Sequence, residues 1–164
     1  MSTDQKIIAG VAIVCVAILG WAVLMFSGNS SSPTAQSVDP AILVRPDSNK
    51  IATDSAKVTV VEFGDYQCPA CAMAAPVTKQ LLKEYEGRIN FVFRHFPLPQ
   101  HGNAMLAAKA AEAAGEQGKY WQMHELLYTN QTAWENQSSA AEIFAGYAKE
   151  IGLNDTQFRD TMNS

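Results

Sequence analysis

The pattern of apolar and polar residues divides the chain into three parts. Residues 7–26 are almost entirely apolar: 18 of the 20 are hydrophobic, the other two are glycines, and none is charged. Residues 27–40 are rich in Ser, Pro and Gly, which is typical of a flexible linker. From residue 41 onward apolar positions recur at strand and helix spacing, which predicts one folded domain over 41–164.

Residues 41–164 contain two clear strand patterns and a series of helical ones. Residues 57–63 (KVTVVEF) form a continuous β-branched run, which predicts a strand buried on both faces, and residues 89–94 (INFVFR) predict a second strand. A short apolar run at 41–45, stopped by Pro46, predicts a brief edge strand. Apolar residues recur at helical spacing in five segments: 68–85, 103–115, 120–128, 140–151 and 155–162. This order predicts an α/β fold with a short sheet and a large helical part.

The apolar segment at 7–26 has the length of a membrane-spanning helix. Twenty residues that rise about 1.5 Å each give about 30 Å, the thickness of the hydrocarbon core of a bilayer. Lys6 precedes the segment and no Lys or Arg follows it before Arg45, so the positive-inside rule places residues 1–6 in the cytoplasm and 41–164 outside. A cleaved signal peptide is the alternative, although its apolar core is usually shorter, about 7–15 residues. We expect an uncleaved single-pass anchor, one transmembrane helix ahead of the domain.

The overall charge argues against a nucleic-acid-binding protein. Twelve Lys and Arg residues stand against sixteen Asp and Glu residues, which gives a formal net charge of −4, and the basic residues form no cluster. Binding to nucleic acid depends on neutralising phosphates with such clusters. The hydrophobic share of 48% is raised by segment 7–26, and the remainder has the composition of an ordinary globular domain.

Two of the three cysteines form a C-x-x-C motif, Cys68-Pro69-Ala70-Cys71, between the first long strand pattern and the helix after it. Unpaired N–H groups and the dipole at a helix N-terminus stabilise a thiolate at Cys68. Cys71 lies one turn further on, within disulfide reach, so we expect Cys68 to exchange disulfides with a client and Cys71 to resolve the mixed disulfide. Pro69 fits the first helical turn, where its missing N–H is tolerated. Cys15 falls in the apolar segment and is expected to act as a small hydrophobic residue.

Two other interpretations of the motif are weaker. A structural disulfide across so short a loop would stabilise the fold only slightly. A zinc site would need further ligands, and the candidates His95 and His101 lie at spacings outside the usual finger patterns. We therefore expect redox chemistry at the motif, with no metal and no cofactor.

Glu62 is a further candidate for a catalytic role. It is a charged residue within an apolar strand, six positions before Cys68. Two interpretations remain open: a strand-edge carboxylate that reaches solvent, or a buried acid with a raised pKa that exchanges a proton with Cys71. The other polar residues near the motif are expected to be structural: Asp65 and Gln67 in the turn, and His95, His101 and His124 in loops or on helix surfaces.

Five segments together resemble the DsbA-like thiol–disulfide oxidoreductases of the thioredoxin superfamily: VTVVEFGDYQCPAC, FVFRHFPL, HGNAMLAAKAAEAA, KYWQMHELLYTNQTAW and YAKEIGL. The resemblance runs from about Ile42 to the last residue and is most specific at the strand and CPxC block. It implies a thioredoxin-like fold with a helical insertion and a redox-active Cys68–Cys71 disulfide, with Cys68 exposed as the nucleophile and Cys71 buried. It also implies a buried acid at Glu62.

The single N-terminal anchor resembles that of the membrane-tethered bacterial members of this family. The resemblance implies exported client proteins whose cysteines are oxidised or reduced, and a quinone-linked membrane partner that reoxidises the cysteine pair. The sequence thus predicts an extracytoplasmic oxidoreductase that forms disulfides in exported proteins. Two alternatives remain open: a disulfide reductase or isomerase, and an inactive module that only binds partners.

The sequence departs from the family pattern after the helical insertion. It reaches Ser164 without the loop that carries a cis-proline, the two further strands and the last helix, and none of its seven prolines fits that loop. We therefore expect a fold that is incomplete at its C-terminus, from a fragment or a truncated product. Strand 57–63 would then be an unpaired apolar sheet edge.

Overall fold

A computed structural model describes Ser2, Gln5, residues 13–22 and residues 38–164. Residues 13–22 are helical and mostly exposed. The predicted anchor at 7–26 and the predicted linker at 27–40 lie in part outside the described residues. Among the residues that are described, no helix is both long and apolar enough to cross a membrane. The chain divides into two units, Met1–Val38 and Asp39–Ser164, and the second unit contains the elements that follow.

A three-stranded sheet underlies the unit Asp39–Ser164. Its strands are β1 (Lys50–Ile51), β2 (Val58–Gly64) and β3 (Ile89–His95), and their order in the sheet is β1–β3–β2. β2 and β3 run parallel, with Gly64 opposite His95, whereas β1 runs antiparallel to β3. Because parallel strands end at the same edge of a sheet, the loops that follow β2 and β3 lie side by side.

Seven helices accompany the sheet within residues 39–164: α1 (Pro40–Leu43), α2 (Pro69–Glu84), α3 (Ala104–Gly115), α4 (Tyr120–Thr129), α5 (Gln131–Trp134), α6 (Ala140–Glu150) and α7 (Asp155–Asn163). α2 connects β2 to β3, and α3–α7 follow β3 as one helical part. The five helices and two long strands predicted from the sequence are confirmed, each end within one residue of its expected position. The sequence did not predict the two short elements β1 and α5.

The prediction of a brief edge strand at 41–45 is wrong, because residues 41–43 belong to helix α1. Asp39 caps this helix: the Ala41 N–H donates a 2.9 Å hydrogen bond to Asp39 Oδ1. Pro40 occupies the first helical position, where proline is favoured because it lacks an N–H to satisfy. A local cap therefore overrides the strand preference of a short apolar run.

β2 lies at the edge of the sheet. The prediction that this strand is buried on both faces is wrong. Within the described residues it pairs with β3 alone. Val58 and Phe63 are 56% and 51% exposed. The apolar edge expected from the family resemblance is thus present in this part of the chain.

The core lies between the sheet and the helices after β3. Phe91 and Phe93 of β3 are buried against side chains of α3, α4 and α6. Seven alanines of α3 are buried, so this helix packs closely against α4 and α7. The rings of Trp134 and Phe144 meet edge to face, with centroids 5.1 Å apart, and join α5 to α6.

α2 packs less tightly than the other long helices. It has no fully buried residue, and a cavity of about 370 Å³ separates part of it from α4. Met73 and Val77 are 73% and 66% exposed. Pro76 lies inside the helix, where its missing N–H removes one backbone hydrogen bond. The side-chain contacts of this helix include the hydrogen bond from Thr78 to Glu62 and the ion pair of Lys79 with Glu125.

Candidate active site

Cys68 is the N-cap of α2, as the sequence predicted, and Pro69 occupies the first helical position. The Cys68 backbone is extended (φ −75°, ψ 121°) and its side chain makes no capping hydrogen bond. Its N–H donates to the carbonyl of Asp65 (3.1 Å), and its own carbonyl accepts from the Ala72 N–H (3.0 Å). The thiol therefore lies at the positive end of the helix dipole and is free to react.

Cys68 and Cys71 are both free thiols and both half-buried. Burial is the largest cause of the raised pKa of Cys71; a side-chain hydrogen bond with Cys68 and the charge of Asp65 also raise it, while a backbone hydrogen bond with Asp65 lowers it. The inner cysteine therefore tends to hold its proton. A thiol that holds its proton needs a base before it can attack as the resolving cysteine, and an acid beside it when it leaves a disulfide.

Glu62 is half-buried, between the two interpretations drawn from the sequence. The Thr78 hydroxyl of α2 donates a 3.1 Å hydrogen bond to Glu62 Oε2. Burial raises the pKa of Glu62, and this hydrogen bond partly opposes the rise. Burial also raises the pKa of Tyr128, and the charges of Cys71, Glu62 and Asp65 add to the rise, so each of these groups lies within electrostatic range of that ring. Glu62 thus has the raised pKa that a proton-exchanging acid needs.

The carboxylate of Asp65 connects the turn before Cys68 to the loop after β3. The Gln67 N–H donates to its Oδ1 (2.7 Å), the Leu98 N–H donates to its Oδ2 (2.8 Å), and His101 Nδ1 lies 2.7 Å from the same Oδ2. The Asp65 side chain is 2% exposed. The expected structural role of Asp65 in the turn is confirmed, and its partners come from the loop that the parallel strands bring alongside.

Gln67 and Gln131 connect the same turn to the helical part of the unit. Gln131 of α5 is buried, and its Nε2 donates to the carbonyls of Tyr66 (2.7 Å) and Cys68 (3.0 Å). Gln67 Nε2 donates to the Glu135 carbonyl (2.7 Å). The sequence prediction missed Gln131. Gln131 lies in the four-residue helix α5, which is too short to show a period, and its hydrogen-bond partners are more than sixty residues away in the chain.

The prediction that His124 lies in a loop or on a helix surface is wrong. Its ring lies among those of Tyr66, Phe93 and Tyr128, with centroids 5.4, 4.8 and 5.1 Å away, and its Nδ1 lies 2.9 Å from the Tyr66 hydroxyl. Burial lowers the pKa of His124 to about 4. The imidazole is therefore neutral at ordinary pH and forms part of the core beneath the motif.

The two histidines considered as zinc partners are each bound to a carboxylate instead. His95 Nε2 lies 2.8 Å from Glu112 Oε1, and His101 Nδ1 lies 2.7 Å from Asp65 Oδ2. In the part of the chain that the structure describes, no three His, Cys, Asp or Glu side chains come together as a metal site would require.

Comparison with known proteins shows which family the chain belongs to. The family model described as thioredoxin matches residues 48–164. The chain belongs to the thioredoxin superfamily. Two solved structures refine this assignment. A thioredoxin-like oxidoreductase from Silicibacter pomeroyi is 28% identical, with a TM-score of 0.63 over 78% of this chain and 70% of that one. The α-DsbA1 of Wolbachia pipientis has a TM-score of 0.67 over 76% of this chain and 64% of its own, at 19% identity, and this likeness concerns the fold alone.

The thioredoxin fold of this chain is therefore of the DsbA-like kind, with a helical part after β3, and the family resemblance seen in the sequence is confirmed. A curated relative, the Na⁺/H⁺ antiporter NhaA 1 of Salinispora arenicola, is 40% identical over 125 residues. The match covers 75% of this chain and 18% of that protein. The chain thus spans less than a fifth of the length of this relative.

Proposed function

We propose that this thioredoxin-superfamily chain is a thiol–disulfide oxidoreductase that forms disulfides in exported proteins through the Cys68–Cys71 pair. The observation that carries the proposal is the position of Cys68 as the N-cap of α2, directly after a parallel strand, with Cys71 one turn inside the helix. The helix dipole favours a thiolate at the first position. Burial raises the pKa of the second. Cys68 is thus the better leaving group from a mixed disulfide, and Cys71 is the partner that needs a proton when it is displaced.

The exchange proceeds in two balanced steps. A client thiolate attacks Cys68 Sγ of the oxidised pair; the Cys68–Cys71 bond breaks, and Cys71 leaves with the electron pair as a thiolate that takes up a proton. The second client thiolate then attacks the client sulfur of the mixed disulfide and releases Cys68. The client loses two electrons and two protons, and the cysteine pair gains them. A quinone-linked membrane partner would accept these electrons and protons and restore the Cys68–Cys71 disulfide.

Glu62 is proposed as the acid that gives the proton to Cys71 when it leaves. Its raised pKa favours the protonated form that this step needs, and both Glu62 and Cys71 lie within electrostatic range of Tyr128. The return of the proton to Glu62 supports the reverse step, in which Cys71 attacks as a thiolate.

The domain is proposed to act outside the cytoplasm, anchored by segment 7–26. The support is the apolar sequence of that segment, Lys6 ahead of it, and the likeness of its arrangement to membrane-tethered DsbA-like proteins. The clients are then exported proteins, whose cysteines meet an oxidising environment where disulfides persist.

Oxidation of a reduced two-cysteine peptide by the oxidised full-length chain tests these roles. Cys68→Ala should abolish the reaction, because no Cys68–Cys71 disulfide can form for the client thiolate to attack, whereas Cys15→Ala should leave its rate unchanged. Glu62→Gln should slow it by about tenfold or more, as loss of a general acid does, while the exposed Glu86→Gln should not. Retained oxidation by the Cys68 variant would contradict the proposed nucleophile, and an undiminished rate in the Glu62 variant would remove the proton role.

A further inference from the structure

The pairing of Asp65 with His101 has a consequence for the cysteine pair that its role in the turn does not require. A carboxylate that is 2% exposed needs donors or a counter-charge, since an isolated buried charge is strongly unfavourable. Two of its donors are neutral backbone N–H groups, those of Gln67 and Leu98. Among the residues that the structure describes, His101 is the one ion-pair partner of Asp65.

The pair is connected to the turn that leads into the motif. The Asp65 carbonyl accepts the Cys68 N–H at 3.1 Å, so the carboxylate belongs to the same turn as the nucleophile. Burial is the largest cause of the raised pKa of Cys71, and the charge of Asp65 raises it further. A negative charge at this place disfavours any thiolate formed when the disulfide is reduced, whereas an imidazolium beside it compensates that charge.

We propose that Asp65 and His101 are positioning residues that together set how readily the Cys68–Cys71 disulfide is reduced. The inference rests on the proposed exchange at these two cysteines. Asp65 opposes reduction, because its carboxylate lies in the turn that ends at Cys68 and opposes negative charge on the nucleophile of the reduced pair. His101 favours reduction, because it neutralises Asp65. The two partners therefore act in opposite directions on one equilibrium, although they contact each other.

The measurement is the equilibrium of the full-length chain with glutathione, in which the disulfide and two glutathione molecules give the dithiol and one glutathione disulfide. It is made at one mildly acidic pH for all the variants. Asp65→Asn, close to isosteric, should shift the equilibrium toward the dithiol by about tenfold, or ~30 mV for a two-electron couple. His101→Gln should shift it toward the disulfide. The double variant should return close to the wild-type value.

Opposite signs separate this role from a structural one. If the pair only held the two loops together, both substitutions would loosen the same contact and move the equilibrium in the same direction. His95→Gln is the matched control, since it also removes a histidine from a carboxylate, Glu112, and should leave the equilibrium within about twofold. If Asp65→Asn does not fold, His101→Lys against His101→Gln carries the test, because lysine keeps a cation and should shift the equilibrium less.

Each outcome decides between the hypotheses. Shifts of the same sign in the Asp65 and His101 variants, or no shift in either, would overturn the proposed tuning while the exchange reaction itself stands. A wild-type chain that does not equilibrate with glutathione would overturn the proposed function and this inference with it.

Discussion

The imidazole of His124 is kept neutral by the rings that surround it. Transfer of a charged imidazolium from water to this site among Tyr66, Phe93 and Tyr128 is unfavourable, so the pKa falls from its usual 6.5 to about 4. In the unfolded chain the same ring is solvated and takes up a proton near pH 6.5. Between these two values the unfolded state binds a proton that the folded state does not, and acidification favours unfolding.

The contribution of His124 to stability is therefore complete above about pH 6.5 and is lost as the pH falls toward about 4. At about 1.4 kcal/mol per pKa unit, the loss amounts to about 3–4 kcal/mol. His124→Phe keeps an aromatic ring but cannot titrate, so its free energy of unfolding should fall less steeply over this range. Urea unfolding at a series of pH values measures both curves, and parallel curves would show that His124 does not carry the effect.

At the scale of elements, the close packing of β2 on the core depends on a residue without a side chain. A Cβ added to Gly64, at the end of β2, would lie 2.8 Å from the Tyr128 hydroxyl and closer still to the Phe93 ring. Atoms this close must move, and both neighbours are buried and have little room to do so. Gly64 therefore allows the strand that leads to the motif to lie directly on the core.

Gly64→Ala is expected to lower the free energy of unfolding by about 1–3 kcal/mol, the usual effect of overpacking a core. Gly146→Ala is the matched control: it lies in α6 with nothing within 4 Å of an added Cβ, and should raise stability by about 0.5–1 kcal/mol through helix propensity. Denaturant unfolding compares the two. A Gly64 variant as stable as the wild type would mean that the core at β2 yields easily.

The elements that the sequence predicted are those whose own residues carry a periodic pattern. α2, α3 and β3 are long enough for the pattern to be clear, and their ends agree within one residue. β1 and α5 are two and four residues long, too short to show a period, and both depend on neighbours distant in the chain. The cysteine pair was evident from local spacing, whereas the Gln131 hydrogen bond to Cys68 spans 63 residues and has no local signature.

At the scale of the molecule, β2 and α2 expose apolar side chains on the part of the unit that carries the motif. Val58 and Phe63 of β2 and Met73 and Val77 of α2 are all more than half exposed. β2 also has one edge that no other described strand covers. An apolar strand with an open edge is a site where copies of a chain associate.

Phe63→Lys should therefore reduce concentration-dependent self-association by several-fold, since a charge on an edge strand opposes pairing. Thr132→Lys adds the same charge at an exposed polar position and should have little effect. Light scattering of the full-length chain in detergent compares them, because segment 7–26 then contributes equally to all the proteins. Equal scattering by the two variants would show that the association lies elsewhere.

Because of the contacts of Gln67 and Gln131, the active-site segment depends on residues outside it. Gln131 of α5 donates a hydrogen bond to the carbonyl of Cys68, and the Gln67 side chain donates one to the carbonyl of Glu135, the residue after α5. Both partners lie more than sixty residues away in the chain. A graft that transplanted only the β2–α2 segment onto another scaffold would leave these groups without partners. A chimaera should therefore exchange residues 131–135 together with the turn before Cys68. When such proteins are redesigned, substitutions in one of these two regions are expected to need matching substitutions in the other.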